Sequence, residues 1–363
     1  MPDPCAFCGS TEPLTREHVF GQWVSKIGLD LNPVQHRAGP LNGLPRDMGE
    51  QPPFRQTVKS FCASCNNGWM SRLEVAAQRV LTPLILGGSA TITPADQAVV
   101  ATWVQKTALT AMLISSKEQR ESGYGLSPTE YTALYEHRDL VQPLDASRFW
   151  VGRYEGPAGF WAVRVTPLTV RLSGVAEPDV PQCYLMTIVL GNLALQGLRF
   201  TTPALEIEAT NGLGMPQVWP SHTPVSLPAG QPCTDTTFLR FANGRLLQST
   251  VEHVELRPWT HAAELPRSAI VDGKVRVPAL CRKHFYYYPV AILEEAFQGR
   301  FYAFMTACEC QIAYLIQTEP DGAHCKAAGA FDGIGQMYED LPGDEFVIRD
   351  ETGEFVCKEA VSA

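Results

Sequence analysis

The chain has 363 residues and a formal net charge of −9, which is long enough for two or three domains and a sizeable core. With 45% hydrophobic and 18% charged residues it reads as globular rather than disordered, and its 29 Gly and 28 Pro predict a loop-rich, partly β architecture without coiled coil. The charge is uneven: residues 251–363 hold 18 Asp and Glu against 10 Lys and Arg, while the first 250 are near neutral, which argues against a protein that coats polyanions generally.

The start, MPDPCAFCGS, has neither a positive n-region nor an apolar stretch, so no secretory signal is expected. The longest apolar runs are too short or too polar to span a bilayer. A cytoplasmic protein with no membrane partner is the expectation. In that compartment paired cysteines are metal ligands rather than disulfides.

In chain order, Cys5 and Cys8 form a first Cys-x-x-Cys pair and Cys62 and Cys65 a second. The Gly-, Pro- and Asn-rich stretch Pro33–Pro53 between them predicts a long loop. Trp69, Leu73, Ala76 and Val80 recur at helical spacing. A second helix opens at Thr93-Pro94 and runs to about Ile114, with Thr93 as N-cap. Ser127-Pro128-Thr129-Glu130 has the pattern of a capping box and opens a third, to about His137. Strands follow at Phe149–Tyr154, Gly159–Val165, Leu168–Leu172 and Tyr184–Leu190. Phe238–Phe241, Asn243-Gly244 and Arg245–Leu247 suggest a hairpin. In the acidic tail a helix is expected around Pro289–Phe297 and strands near Ala303–Ile316.

Four thiolates at this spacing suit one tetrahedral Zn²⁺, and metal binding lets a loop-rich segment fold without a large core. Closing both pairs on one ion folds the chain back on itself. Glu17-His18, soon after Cys8, then comes within reach of Asn66, directly after Cys65. A carboxylate and an amide oxygen are hard ligands suited to Mg²⁺ or Mn²⁺. An adjacent imidazole can take a proton from water. Together these parts fit phosphodiester hydrolysis. Each also has a plainer reading: Glu17-His18 as an exposed pair at a strand end, Asn66-Asn67-Gly68 as a left-handed turn, Glu74 as a solvated helix position.

The order Cys-x-x-Cys, acidic-His, Cys-x-x-Cys-Asn resembles the HNH nuclease family, over roughly residues 1–80. The resemblance implies a ββα-metal fold with His18 as general base and Glu17 and Asn66 as ligands of a catalytic Mg²⁺ or Mn²⁺. It implies a structural Zn²⁺ on Cys5, Cys8, Cys62 and Cys65. Glu74 stands about where the family's closing ligand belongs. Val19–Phe61 is long for the family's hairpin and implies an insertion, in which His36 is a loop residue or a substrate contact.

The expected fold class is therefore α+β: a zinc-stapled HNH-like module over residues 1–80, a helical segment over 81–140, a β-rich domain over 141–250 and an acidic α+β region over 251–363. The expected function is metal-dependent cleavage of DNA, with RNA as second choice, in restriction, mobile elements or defence against phage in bacteria. The alternative is a non-catalytic zinc-binding module for protein or nucleic-acid contact. Cys281, His284, Cys308, Cys310 and Cys325 could form a second zinc site, although cysteines in strand-like apolar runs are more often small buried hydrophobes. Phe285–Tyr288 reads as core or strand before it reads as a base-stacking surface.

Overall fold

The computed structural model describes residues 3–38, 46–115, 120, 125–156, 159–172 and 180–259, and beyond these the strands between Ile270 and Val356. Residues 1–259 form one compact unit and 260–363 another.

β1 (Leu14–His18) pairs antiparallel with β4 (Thr57–Cys62), with Leu14 opposite Cys62 and His18 opposite Thr57 and a bulge between Thr15 and Glu17. Between them lie a short 3₁₀ turn, Gln22–Lys26, that buries Trp23 and Val24, and a second antiparallel pair, β2 (Val34–Ala38) and β3 (Arg46–Gln51). The expected long loop at Pro33–Pro53 is thus largely a hairpin. Its anchor is polar and leaves no hydrophobic pattern. His36 is buried, its Nε2 on the carbonyl of Gln51 (2.9 Å), its Nδ1 on the amide of Gln56 (2.5 Å) and its ring 5.2 Å from that of Trp161.

From β4 the chain runs into a one-turn helix, α1 (Ala63–Cys65), then a wide turn, Asn66–Met70, then α2 (Ser71–Ile85). Asn66 is right-handed and Gly68 alone leaves helical geometry (φ −92°, ψ −111°), so the plainer reading of this stretch as a left-handed turn gives way to a kink. α2 buries Leu73, Ala77, Val80, Leu81 and Leu84, one face of a 3.6-residue period.

α3 (Pro94–Met112) starts as the sequence predicts: Thr93 Oγ1 accepts from the Asp96 N–H at 3.3 Å, with Pro94 in the first position. Every residue from Val100 to Thr110 is buried. A helix covered on all sides must be central, and α3 packs against α2 and against the main sheet. Thr93→Ala is expected to cost about 1 kcal/mol of stability through the lost cap, read as a lower urea midpoint at unchanged m.

α4 (Pro128–Glu136) is capped by Ser127 Oγ, which accepts from Thr129 N–H at 3.3 Å. Glu130 does not turn back to complete a capping box. It is buried, accepting from Tyr184 OH (2.7 Å) and Arg199 Nε (3.3 Å), so the interior claims the carboxylate.

The main sheet is antiparallel in the order β11 (Gln217–Trp219), β6 (Ser147–Glu155), β9 (Leu193–Phe200), β8 (Cys183–Leu190), β7 (Trp161–Leu172), β15 (Val254–Pro258), with β13 (Cys233–Thr234) parallel to β6. β5 (Ala90–Ile92) pairs with β12 (Val225–Leu227), and β10 (Ala209–Asn211) with β14 (Leu247–Ser249). β7 is one strand where two were expected. The Pro167 carbonyl accepts from Trp259 N–H at 2.8 Å, so its nitrogen also faces the β15 side, where pairing ends and no N–H is needed.

The expected hairpin at Phe238–Leu247 is a helix, α5 (Asp235–Ala242). Phe238, Phe241 and Ala242 lie at helical spacing and are buried against one sheet face. Gly244 (φ +83°) ends the helix rather than turning a hairpin: its N–H bonds the carbonyl of Phe241 (3.3 Å) and that of Arg245 bonds Arg240 (2.9 Å), a Schellman closure.

Alternate residues of the sheet feed two cores. One takes Phe149, Val151, Met186, Ile188 and Leu195 together with the amino-terminal segment, α2 and α3; the other takes Trp150, Leu185, Val189 and Leu198 with α5. The first cluster runs from Cys5 to Leu227, across three of the four expected segments. The chain is mixed α and β with a β-rich second half, as expected.

In the second unit, β16 (Ile270–Val271), β17 (Lys274–Pro278) and β18 (Phe285–Pro289) form one antiparallel sheet, and β19 (Phe301–Thr306), β20 (Ala313–Thr318), β21 (Val347–Ile348) and β22 (Phe355–Val356) another. The aromatic run Phe285–Tyr288 is strand. Most of the expected helix at Pro289–Phe297, and Cys281, His284, Cys308, Cys310 and Cys325, lie outside the described residues.

Candidate metal centre and the buried cluster beside it

The first cysteine pair sits in a tight turn closed by the Gly9 N–H on the carbonyl of Cys5 (2.9 Å), with Gly9 at φ +70°. Ala6 N–H bonds the carbonyl of Ser60 (2.9 Å) and ties that turn to β4. Of the second pair, Cys62 stands at the N-cap of α1 and Cys65 is its last residue. The four Sγ atoms of Cys5, Cys8, Cys62 and Cys65 all lie within 4.8 Å of one another. Cys8 and Cys62 are 3.6 Å apart, well beyond a disulfide bond. A tetrahedral ion with metal–sulfur bonds of about 2.3 Å sets sulfurs roughly 3.8 Å apart, so the cluster could hold a metal ion. Phe7 seals it, packed against Phe61 (4.8 Å), Trp69 (4.9 Å) and Tyr131 (6.0 Å).

Burial opposes ionisation of Cys5, but N–H groups of Cys8, Cys62 and Phe7 hold its thiol below the ordinary range. Burial pushes Cys62 and Cys65 up, and the neighbouring sulfurs add to this. Four sulfurs this close ionise together only around a cation.

Asn66 ties this centre to β1. Its Nδ2 donates to Thr15 Oγ1 (3.0 Å) and to the carbonyl of Arg16 (3.1 Å). Its Oδ1 has no protein partner among the described residues. The next residues of β1 are Glu17 and His18. Successive strand residues face opposite ways: Glu17 is buried, and His18 is half-buried with no hydrogen bond to its ring among the described residues.

Glu17 enters a buried ionic cluster that reaches outside the first 80 residues. Lys106 of α3 is fully buried, with Nζ 3.3 Å from Glu17 Oε1 and 2.5 Å from Glu74 Oε1. Glu74 Oε2 accepts from the indoles of Trp23 (2.7 Å) and Trp103 (2.9 Å). Both oxygens of Glu74 are thus engaged. Gly21 crosses so near that a Cβ there would stand 2.3 Å from Glu74 Oε2. Burial disfavours the Lys106 ammonium, but Glu74 and Glu17 outweigh it and keep the lysine protonated beyond its ordinary range. Burial, offset in part by Lys106 and reinforced by Glu74, holds the Glu17 carboxyl above its ordinary value.

The structure therefore brings the four cysteines together, sets Asn66 against β1, and joins Glu17 to Glu74 through Lys106. His36 belongs to the hairpin core. Lys106, Trp23 and Trp103 escape the sequence reading as site residues. A lone lysine in the otherwise uncharged run Gln97–Leu113 was the available signal.

No protein-family model matches the chain, and neither a curated protein nor a solved structure matches it. The fold and site by themselves define a mixed α and β protein with a four-cysteine cluster able to hold a metal ion. No helix among the described residues is long and apolar enough to cross a membrane.

Proposed function

We propose that the chain is a metal-dependent endonuclease of the HNH type that hydrolyses phosphodiester bonds of DNA, with His18 as general base. The observation that carries this reading is the Asn66 tie. It joins the four-cysteine cluster, the start of the helix and the strand bearing Glu17-His18 into one unit of two antiparallel strands and a helix. Zn²⁺ suits the four cysteines and would act structurally. Glu17 and Asn66 offer oxygens to one Mg²⁺ or Mn²⁺. We assign Glu74 to anchoring, because its oxygens are taken.

In this reading the half-buried His18 takes the proton from an attacking water. A divalent cation, when bound, supplies charge stabilisation at the phosphate and the leaving oxygen. Exposed cations on the elements that carry the candidate residues support a polyanionic substrate despite the net charge. Arg16, Arg55, Lys59 and Arg72 are exposed on the two strands, on the turn before β4 and at the helix start, with no ion pair among the described residues. Such contacts position a nucleic-acid backbone without reading sequence. A role in restriction, mobile elements or phage defence rests on fold-level analogy.

A non-catalytic zinc module is the second reading, favoured by the lysine that already pairs with both carboxylates. Supercoiled plasmid incubated with Mg²⁺, Mn²⁺ or EDTA tests the proposal. Nicking or linearisation only with added metal is expected. Hydrolysis of bis(p-nitrophenyl) phosphate without cleavage of DNA or RNA would point to a hydrolase of small phosphodiesters, and no hydrolysis at all to the zinc module.

A further inference from the structure

Lys106 lies on α3, far along the chain from the four cysteines, and no motif includes it. Its ammonium has a fixed seat. The indoles of Trp23 and Trp103 hold one oxygen of Glu74, and the other oxygen holds Nζ. Glu17 docks on that ammonium through Oε1 alone. Oε2 of Glu17 has no hydrogen-bond partner among the described residues, and the Glu17 side chain keeps 12% of its surface exposed. One carboxylate oxygen is anchored on the lysine and the other is left unengaged, on the residue next to His18.

A buried lysine is an expensive way to fill space, and an apolar side chain of similar length would pack as well. With such a residue, however, two carboxylates would share the interior with no counter-charge, free to pair with a cation between them. The ammonium removes that alternative seat and leaves the cluster with a net charge of −1.

We propose that Lys106 is the positioning residue of the candidate centre, holding Glu17 by Oε1 so that Oε2 alone is offered to a divalent cation. This rests on the reading that Glu17 binds that cation. It also makes the centre depend on α3, so that the first 80 residues are not self-sufficient. Groups that orient a metal ligand typically carry about 10- to 100-fold in affinity or activity.

The test uses the full-length, zinc-loaded protein. Lys106→Met alone leaves buried carboxylates uncompensated and risks the fold. The double variant Lys106→Met with Glu74→Gln is neutral at both positions and keeps an acceptor for the indoles. Zinc content, near-UV circular dichroism and thermal midpoint establish that it is folded. Mn²⁺ binding is then measured by electron paramagnetic resonance, and plasmid cleavage at saturating Mn²⁺ is split into kcat and KM. The expected result is Mn²⁺ affinity weaker by about tenfold or more and kcat lower by about a hundredfold, with KM for DNA little changed. A folded double variant with wild-type Mn²⁺ affinity and kcat overturns this inference alone. A wild type that binds no Mn²⁺ overturns the parent reading and this inference with it.

Discussion

The four-cysteine cluster is expected to hold a metal ion whose removal unfolds the amino-terminal third of the protein and destabilises the rest. Apparent binding free energies of structural zinc run to about 10–16 kcal/mol in small zinc domains. If only about 4 kcal/mol of that reaches the first unit, its melting temperature falls by roughly 10 °C. The loss spreads because Phe7, Phe61, Trp69 and Tyr131 belong to the same core as α3 and the sheet. Cys62→Ser should act likewise, since it removes one of the four clustered sulfurs. Calorimetry of the metal-loaded and chelated protein, with metal content measured on each, checks this. A chelated protein that melts at the same temperature, with all four thiols slow to react, would mean that the cluster is merely packed sulfur.

Glu74→Ala is the point substitution expected to cost most. It strips Lys106 of its nearer counter-ion and leaves two buried indole N–H groups without an acceptor. Breaking a buried ion pair by removing one partner costs about 3–5 kcal/mol. Glu74→Gln should cost less, because an amide oxygen still accepts from the indoles. The order in urea is therefore wild type, Gln, Ala, accompanied by a change in tryptophan emission from Trp23 and Trp103. An Ala variant within about 1 kcal/mol of wild type would show that Glu17 alone can hold Lys106.

The four-cysteine cluster was legible because its chemistry is written in spacing. Two Cys-x-x-Cys pairs constrain where four sulfurs can go, and Asn66 next to Cys65 followed from the same closure. Helix starts were legible for a similar local reason: Thr93 and Ser127 cap within three residues of themselves. Lys106 was not legible. It meets Glu17 across 89 residues and Glu74 across 32, and contacts at that range leave no periodic trace. Glu130 shows the converse, a local pattern overruled when Tyr184 and Arg199 compete for the same carboxylate. The region Phe238–Leu247 misled because Asn243-Gly244 suits a hairpin and a helix end equally. What separates them is the i, i+3, i+4 spacing of Phe238, Phe241 and Ala242, which pack as a helical face.

The claim that the centre is catalytic turns on His18. Wild type and His18→Ala should be purified side by side, their zinc content measured, and plasmid cleavage followed with Mn²⁺ in single turnover. His18 is half-buried and unbonded among the described residues, so its removal should leave the fold and the zinc unchanged. The predicted result is equal zinc, equal melting temperature and cleavage slower by at least about a hundredfold in the variant. A variant that retains its zinc and cuts as fast as wild type would contradict the assignment of His18 as the base, and with it the catalytic reading of the strand it ends.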